Sequence, residues 1–228
     1  MPRESYQEQL EALRDDVLYM SELVLERFRA SLRALEGRDE ELAWEVIEGD
    51  AEVNELYLEI EQECIDLLAL QQPVASDLRF IAASFKIITD LERIADLATN
   101  LGDYTIEAER ERYPEVDVQG IGDTVGEMVE DATAAYAEKD VAACYDIAGR
   151  DDEVDAACED ASSEVIRDLV ETELDEPEGP EGADLEALMD DVSRLLLTIR
   201  DLERVGDHAV NIAARALYMI ENDDELIY

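Results

Sequence analysis

The stretch DLERIADLATNL, Asp90 to Leu101, returns without a gap as DLERVGDHAVNI, Asp201 to Ile212, with seven of twelve residues identical. Each copy carries two acids and an amide at steps of four: Glu92, Asp96 and Asn100 in one, Glu203, Asp207 and Asn211 in the other. Residues four apart share a face of an α-helix, so the pattern predicts two matching helices, each with an oxygen-bearing stripe. Ile88, Ala95 and Thr99 flank the first stripe and Ile199, Gly206 and Val210 the second, so neither reads as an ordinary solvated face.

Working outward, apolar residues recur at helical spacing throughout, as Leu10, Leu13, Val17, Met20, Val24 and Phe28 illustrate. A first helix of about 30 residues should stop near Gly37. Asp39 should cap a second, running through Trp44, Val53, Tyr57 and Leu68 to the break at Pro73, and a third should run from near Ser76 to about Glu109. Helices expected over 117–137, 140–174 and 184–222 repeat this plan. Asp140 falls on Asp39 and Tyr145 on Trp44 at an offset of 101, which becomes 111 from the third helix onward. The ten added residues point to LDEPEGPEGAD, an exposed acidic loop over 175–183. The fold class is therefore all-α, two tandem three-helix bundles with pseudo-twofold symmetry, 1–113 and 114–228. The alternative is one irregular six-helix bundle.

Composition narrows the function. The 228 residues hold 62 Asp and Glu against 18 Lys and Arg, a formal net charge of -44, and Lys86 and Lys139 are the only lysines. Molar salt shortens the Debye length to about 3 Å and removes most of the self-repulsion, so this charge predicts a salt-rich interior, as in a halophile. With no basic stripe, nucleic-acid binding is not expected. Cys64, Cys144 and Cys158 form no CxxC pair, which argues against a disulfide framework or thiolate zinc site and for a reducing cytoplasm. The longest apolar stretches fall short of the roughly 20 residues that span a bilayer, so any membrane contact should be peripheral.

The acid stripes carry the chemistry. Half-buried carboxylates at close quarters repel one another and lose hydration, and a divalent or trivalent cation between them relieves both. The offset of 101 supplies more oxygen ligands by bringing Asp50 and Asn54 onto Asp151 and Asp155. The candidate ligands are Asp50, Asn54, Glu92 and Asp96 in one half, Asp151, Asp155, Glu203 and Asp207 in the other. Such oxygen sets suit magnesium, manganese, iron, or zinc with open positions. Alternatively, Arg93, Arg204 or Arg79 neutralises the acids by ion pairing. His208, the sole histidine, aligns with Leu97 and reads as packing more readily than as a ligand. No Ser-His-Asp set, Gly-rich phosphate loop or GxSxG elbow appears, so no enzyme is expected; metal-dependent phosphohydrolase or oxidoreductase chemistry at the carboxylates is the competing class.

Together with VIEGDAEVN and QQPVASDLR in the first half, the two DLER stretches resemble the PhoU family of phosphate transport accessory and regulatory proteins. The second half has no counterpart of QQPVASDLR, so Asp77 and Arg79 are not a repeated feature. The resemblance implies two three-helix bundles, often a homodimer, with iron or zinc clusters on the E-x-x-x-D helices of some members. It also implies negative regulation of phosphate uptake and of the phosphate-starvation response, through a transporter ATPase and, in bacteria, a membrane sensor kinase.

Overall fold

The computed structural model describes residues 3–71, 73–108, 116–175 and 183–227; the expected acidic loop and the end of the third helix near Glu109 lie largely outside them. Six helices follow in order: α1 (Arg3–Gly37), α2 (Glu40–Gln71), α3 (Ala75–Glu107), α4 (Val118–Glu138), α5 (Val141–Asp175) and α6 (Ala183–Glu221). The described residues contain no strand. α1, α2 and α3 pack as one three-helix bundle and α4, α5 and α6 as a second. The bundles join through α3 against α6 and α1 against α4, which leaves α2 and α5 on the outer flanks.

Local chemistry marks the same corner in both bundles. Arg38 and Lys139, 101 apart, both take left-handed φ values, 50° and 59°. The following Asp39 and Asp140 then cap the next helix: Leu42 N–H donates to Asp39 Oδ1 at 3.1 Å, and Ala142 and Ala143 N–H donate to Asp140 Oδ1 at 2.9 and 3.1 Å. Gly37, expected as the stop, is still helical, and the reversal falls one residue later. Two backbone bonds, Asp39 N to Ala34 O and Asp140 N to Ala135 O, close both helix ends, which offsets the strain at Arg38 and Lys139.

One continuous core unites the bundles. Leu13, Val17, Val24 and Phe28 of α1 and Ile87, Leu91 and Ile94 of α3 are fully buried, as are Val125 and Val129 of α4 and Leu202, Val205 and Ile212 of α6. Each such side chain stabilises by about 1.5–3 kcal/mol relative to exposure. α1 and α4 approach closely at glycine: a Cβ on Gly122 would stand 2.5 Å from Leu32. Where equivalent positions meet across the pseudo-twofold axis, Arg29 of α1 pairs with Glu130 of α4.

Candidate functional site: two carboxylate clusters

α3 and α6 run through the centre of the molecule and present the repeated acids toward α2 and α5. In the first bundle the field links three carboxyls. Burial raises the Asp50 pKa above the usual carboxylate range and the Asp96 charge adds to it; the Asn54 hydrogen bond and Arg27 act the other way. Burial, then Asp96 and Asp50, raise Glu92, opposed by Arg93 and His208. Internal partners are close at hand. Asn54 Nδ2 donates to Asp50 Oδ2 at 2.7 Å, Arg93 Nη1 donates to Asp96 Oδ2 at 2.9 Å, and Arg93 Nε lies 3.5 Å from Glu92 Oε2.

The second bundle keeps the acids and loses the partners. Burial, then Asp155, Asp207, Asp152 and Glu203, push the Asp151 carboxyl up to about 6. Glu203 is raised by burial, then by Asp155 and Asp207. Asp207 lies at the exposed edge, yet lost hydration and Asp155 raise it too, against His208 and Arg204. Cys158, buried beneath, is pushed up to about 12 by burial and by Glu203 and Asp155. Asn54 is replaced here by Asp155, and Arg204 approaches Asp201 instead, at 3.6 Å.

Asp151 Oδ1 is buried without a hydrogen-bond partner, and it sits 3.7 Å from where a Cβ on Gly206 would stand. An orphaned carboxylate oxygen over a residue with no side chain, in the field of four further acids, is donor chemistry suited to a hard cation. Among the described residues, no three His, Cys, Asp or Glu side chains are already grouped so that they could hold a metal ion. Binding would therefore require side-chain rotation, which the exposed Asp155 and Asp207 permit.

Asn100 and Asn211, read from sequence as continuing the acid stripes, turn to another task. Asn100 Nδ2 donates to Asp201 Oδ2 at 3.1 Å, and Asn211 Nδ2 donates to Asp90 Oδ1 at 3.4 Å. Asp90 and Asp201 are the first residues of the two DLER stretches, so each repeat's Asn satisfies the other repeat's Asp, as a twofold interface demands. Tyr104 Oη donates to Asp201 Oδ2 at 3.0 Å, and His208 Nδ1 lies 2.9 Å from Asp90 Oδ1. His208 is therefore a seam residue. The sequence pattern gives no sign that Asp90 and Asp201 hold the seam between α3 and α6, although their identity in the two copies was the available signal.

The family model described as PhoU domain matches the chain twice, at residues 17–105 and 118–216. A Pseudomonas putida protein named phosphate-specific transport system accessory protein PhoU homolog is 34% identical over 97% of this chain and 82% of its own length. A similarly named Synechocystis protein is 34% identical, over 98% and 95%. Among solved structures, the crystal structure of PhoU from Pseudomonas aeruginosa superposes with a TM-score of 0.85 at 32% identity, covering 96% of this chain and 100% of that one. The phosphate transport system regulatory protein PhoU from Streptococcus pneumoniae gives 0.84 at 26%, covering 96% and 98%. Among the described residues no helix is long and apolar enough to cross a membrane.

Proposed function

The chain belongs to the PhoU family, and we propose that it is an accessory protein of phosphate transport which restrains uptake and the starvation response by docking, from the cytoplasm, on the transporter's ATPase. The observation that carries the reading is the double match of the family across both bundles, in relatives named as accessory proteins of phosphate-specific transport. A non-catalytic role fits those names, and a homodimer and a membrane sensor as second partner belong to the same proposal. Capture of the transporter ATPase on immobilised full-length chain at molar salt is the test. Binding that changes between phosphate-replete and phosphate-starved extracts is expected, and no binding in either would overturn the proposal.

The metal assignment is part of the same reading. A hard divalent or trivalent ion, iron or zinc or else magnesium or manganese, would be held in the second bundle by Asp151, Asp155, Glu203 and Asp207 and in the first by Asp50, Asn54, Glu92 and Asp96. The bound ion would supply positive charge to carboxylates that otherwise repel one another. Asp151 would orient it from below, with Gly206 leaving the space, while Asp155 and Asp207 close from the rim. In the first bundle the ion would compete with Arg93, so there a metal-free, ion-paired arrangement is the second reading. Elemental analysis of the protein purified at high salt separates the two.

A further inference from the structure

α2 has two apolar faces, and the bundle uses one. Val53, Ile60, Cys64 and Leu67 point into the core and are fully buried. On the opposite side Trp44, Ala51, Leu58 and Ile65 recur every seven residues and all are exposed; Trp44 is 52%, Leu58 59% and Ile65 45% accessible, with Leu68 beside them at 39%. A row of this length and spacing follows a left-handed seam around a second helix. Glu45, Glu48, Glu52, Glu55, Glu59 and Asp66, all exposed, flank it, and α2 contains neither Lys nor Arg.

The second repeat shows that the fold does not need this row to be continuous. α5 occupies the matching flank, and at the offset of 101 it keeps exposed Tyr145 and Ile166 for Trp44 and Ile65 but carries Asp152 and Glu159 where α2 carries Ala51 and Leu58. Both acids are exposed and the helix runs on through them. α5 also carries Arg150 and Arg167. Packing requirements that the two repeats share therefore leave Ala51 and Leu58, which make the row of α2 unbroken, unexplained, and in a chain of net charge -44 an uninterrupted outward apolar row is costly to solubility.

We propose that the outer face of α2 is a docking surface for a basic amphipathic helix of a partner protein, its apolar residues seated on Trp44, Leu58 and Ile65 and its Lys or Arg flanks against the acid rows. Charge selects the occupant: a second copy would bring like-charged acid rows together, whereas basic flanks pair with them along both edges. At molar salt the apolar contact supplies affinity and the close pairs, least screened at short range, supply choice of partner. The inference concerns the surface and holds whichever protein docks there, so its failure leaves capture of the transporter ATPase unaffected.

Trp44 is the only tryptophan in the chain and stands in the row, so its emission reports occupancy. The full chain at molar salt would be titrated with a synthetic amphipathic peptide of about 20 residues, leucine at the seam positions and lysine on the flanks. A blue shift of Trp44 emission with saturable binding is expected, and the same peptide with glutamate flanks should bind at least about tenfold more weakly. Leu58→Glu copies the residue α5 already tolerates, so the variant should fold; it should weaken the lysine peptide about tenfold, whereas Ile166→Glu on α5 should not. Non-specific attraction to an acidic protein would instead be strengthened or left unchanged by the added glutamate. That outcome, equal binding of both peptides, the absence of a shift, or a dimer of the free chain that Leu58→Glu dissociates would each overturn the proposal.

Discussion

The two carboxylate clusters descend from one pattern and have been finished differently. In the first bundle Arg93 bonds Asp96 and approaches Glu92, Asn54 bonds Asp50, and Arg27 adds positive field. In the second, the matching arginine approaches Asp201, Asp155 replaces the amide, and no cation figures among the influences on Asp151. The same asymmetry holds over whole repeats: residues 1–113 carry 11 Lys and Arg against 28 Asp and Glu, residues 114–228 only 7 against 34. Equivalent positions in a repeat fold can thus be balanced internally on one side and left without matching partners on the other.

The largest effect should come from removing salt. Dialysis into dilute buffer extends the Debye length to about 30 Å or more, so acids across each bundle repel without screening. Loss of the helical circular dichroism signal is expected. Hydrogen exchange should show the second bundle losing protection before the first, because the second repeat carries the larger uncompensated charge. Unchanged spectra in dilute buffer would remove the salt-rich habitat from the argument, and equal loss of protection would weaken the contrast between repeats.

Next in size is metal affinity. Asp151→Asn should lower binding of manganese or zinc at the second cluster by about 100-fold, measured by calorimetry on chelator-stripped protein at molar salt. Asp50→Asn should cost less than about tenfold overall, since its cluster already has protein partners. Equal losses from the two variants would break the comparison.

Without metal, the clusters should make stability depend on pH. Asp151 has a folded pKa of about 6 against an ordinary 3.8. Between those values the native chain holds a proton that the unfolded chain has released, so stability falls as pH rises through that window and stays lower above it. Glu203 and Asp207 are raised as well and act with the same sign. Melts in chelator from about pH 4 to about pH 7 should therefore show declining Tm. Asp151→Asn should flatten the decline and stabilise the stripped protein near neutrality by about 1 kcal/mol.

Much of this was legible in the sequence, and its limits have physical causes. Helical periodicity and the doubled DLER stretch yield six helices in two bundles, because burial of an apolar stripe constrains spacing tightly. The offset of 101 likewise finds the Asp39 and Asp140 caps. The Asn100–Asp201 and Asn211–Asp90 crossings escape such reasoning, because a four-residue step shows which residues share a face of one helix but not what stands opposite. Nor does it show where a long arginine turns: Arg93 and Arg204 occupy the same motif position, and tertiary surroundings choose their rotamers.

The smallest expected change in stability is at Arg93, and it bears most directly on the comparison. Its side chain is 54% exposed, so its bonds to Asp96 and Glu92 are screened and their loss in Arg93→Ala should cost no more than about 1 kcal/mol. The same substitution removes the cation that balances Glu92 and Asp96 while Arg27 and Asn54 stay with Asp50, which moves the first cluster toward the condition of the second. Metal affinity there should rise, as a second calorimetric transition that Asp50→Asn abolishes. Arg204→Ala should have the weaker effect, because that guanidinium already lies toward Asp201. Should neither arginine alter ion binding, the contrast between the clusters would lie in Asn54 and Asp155, and exchanging those two residues would transfer it.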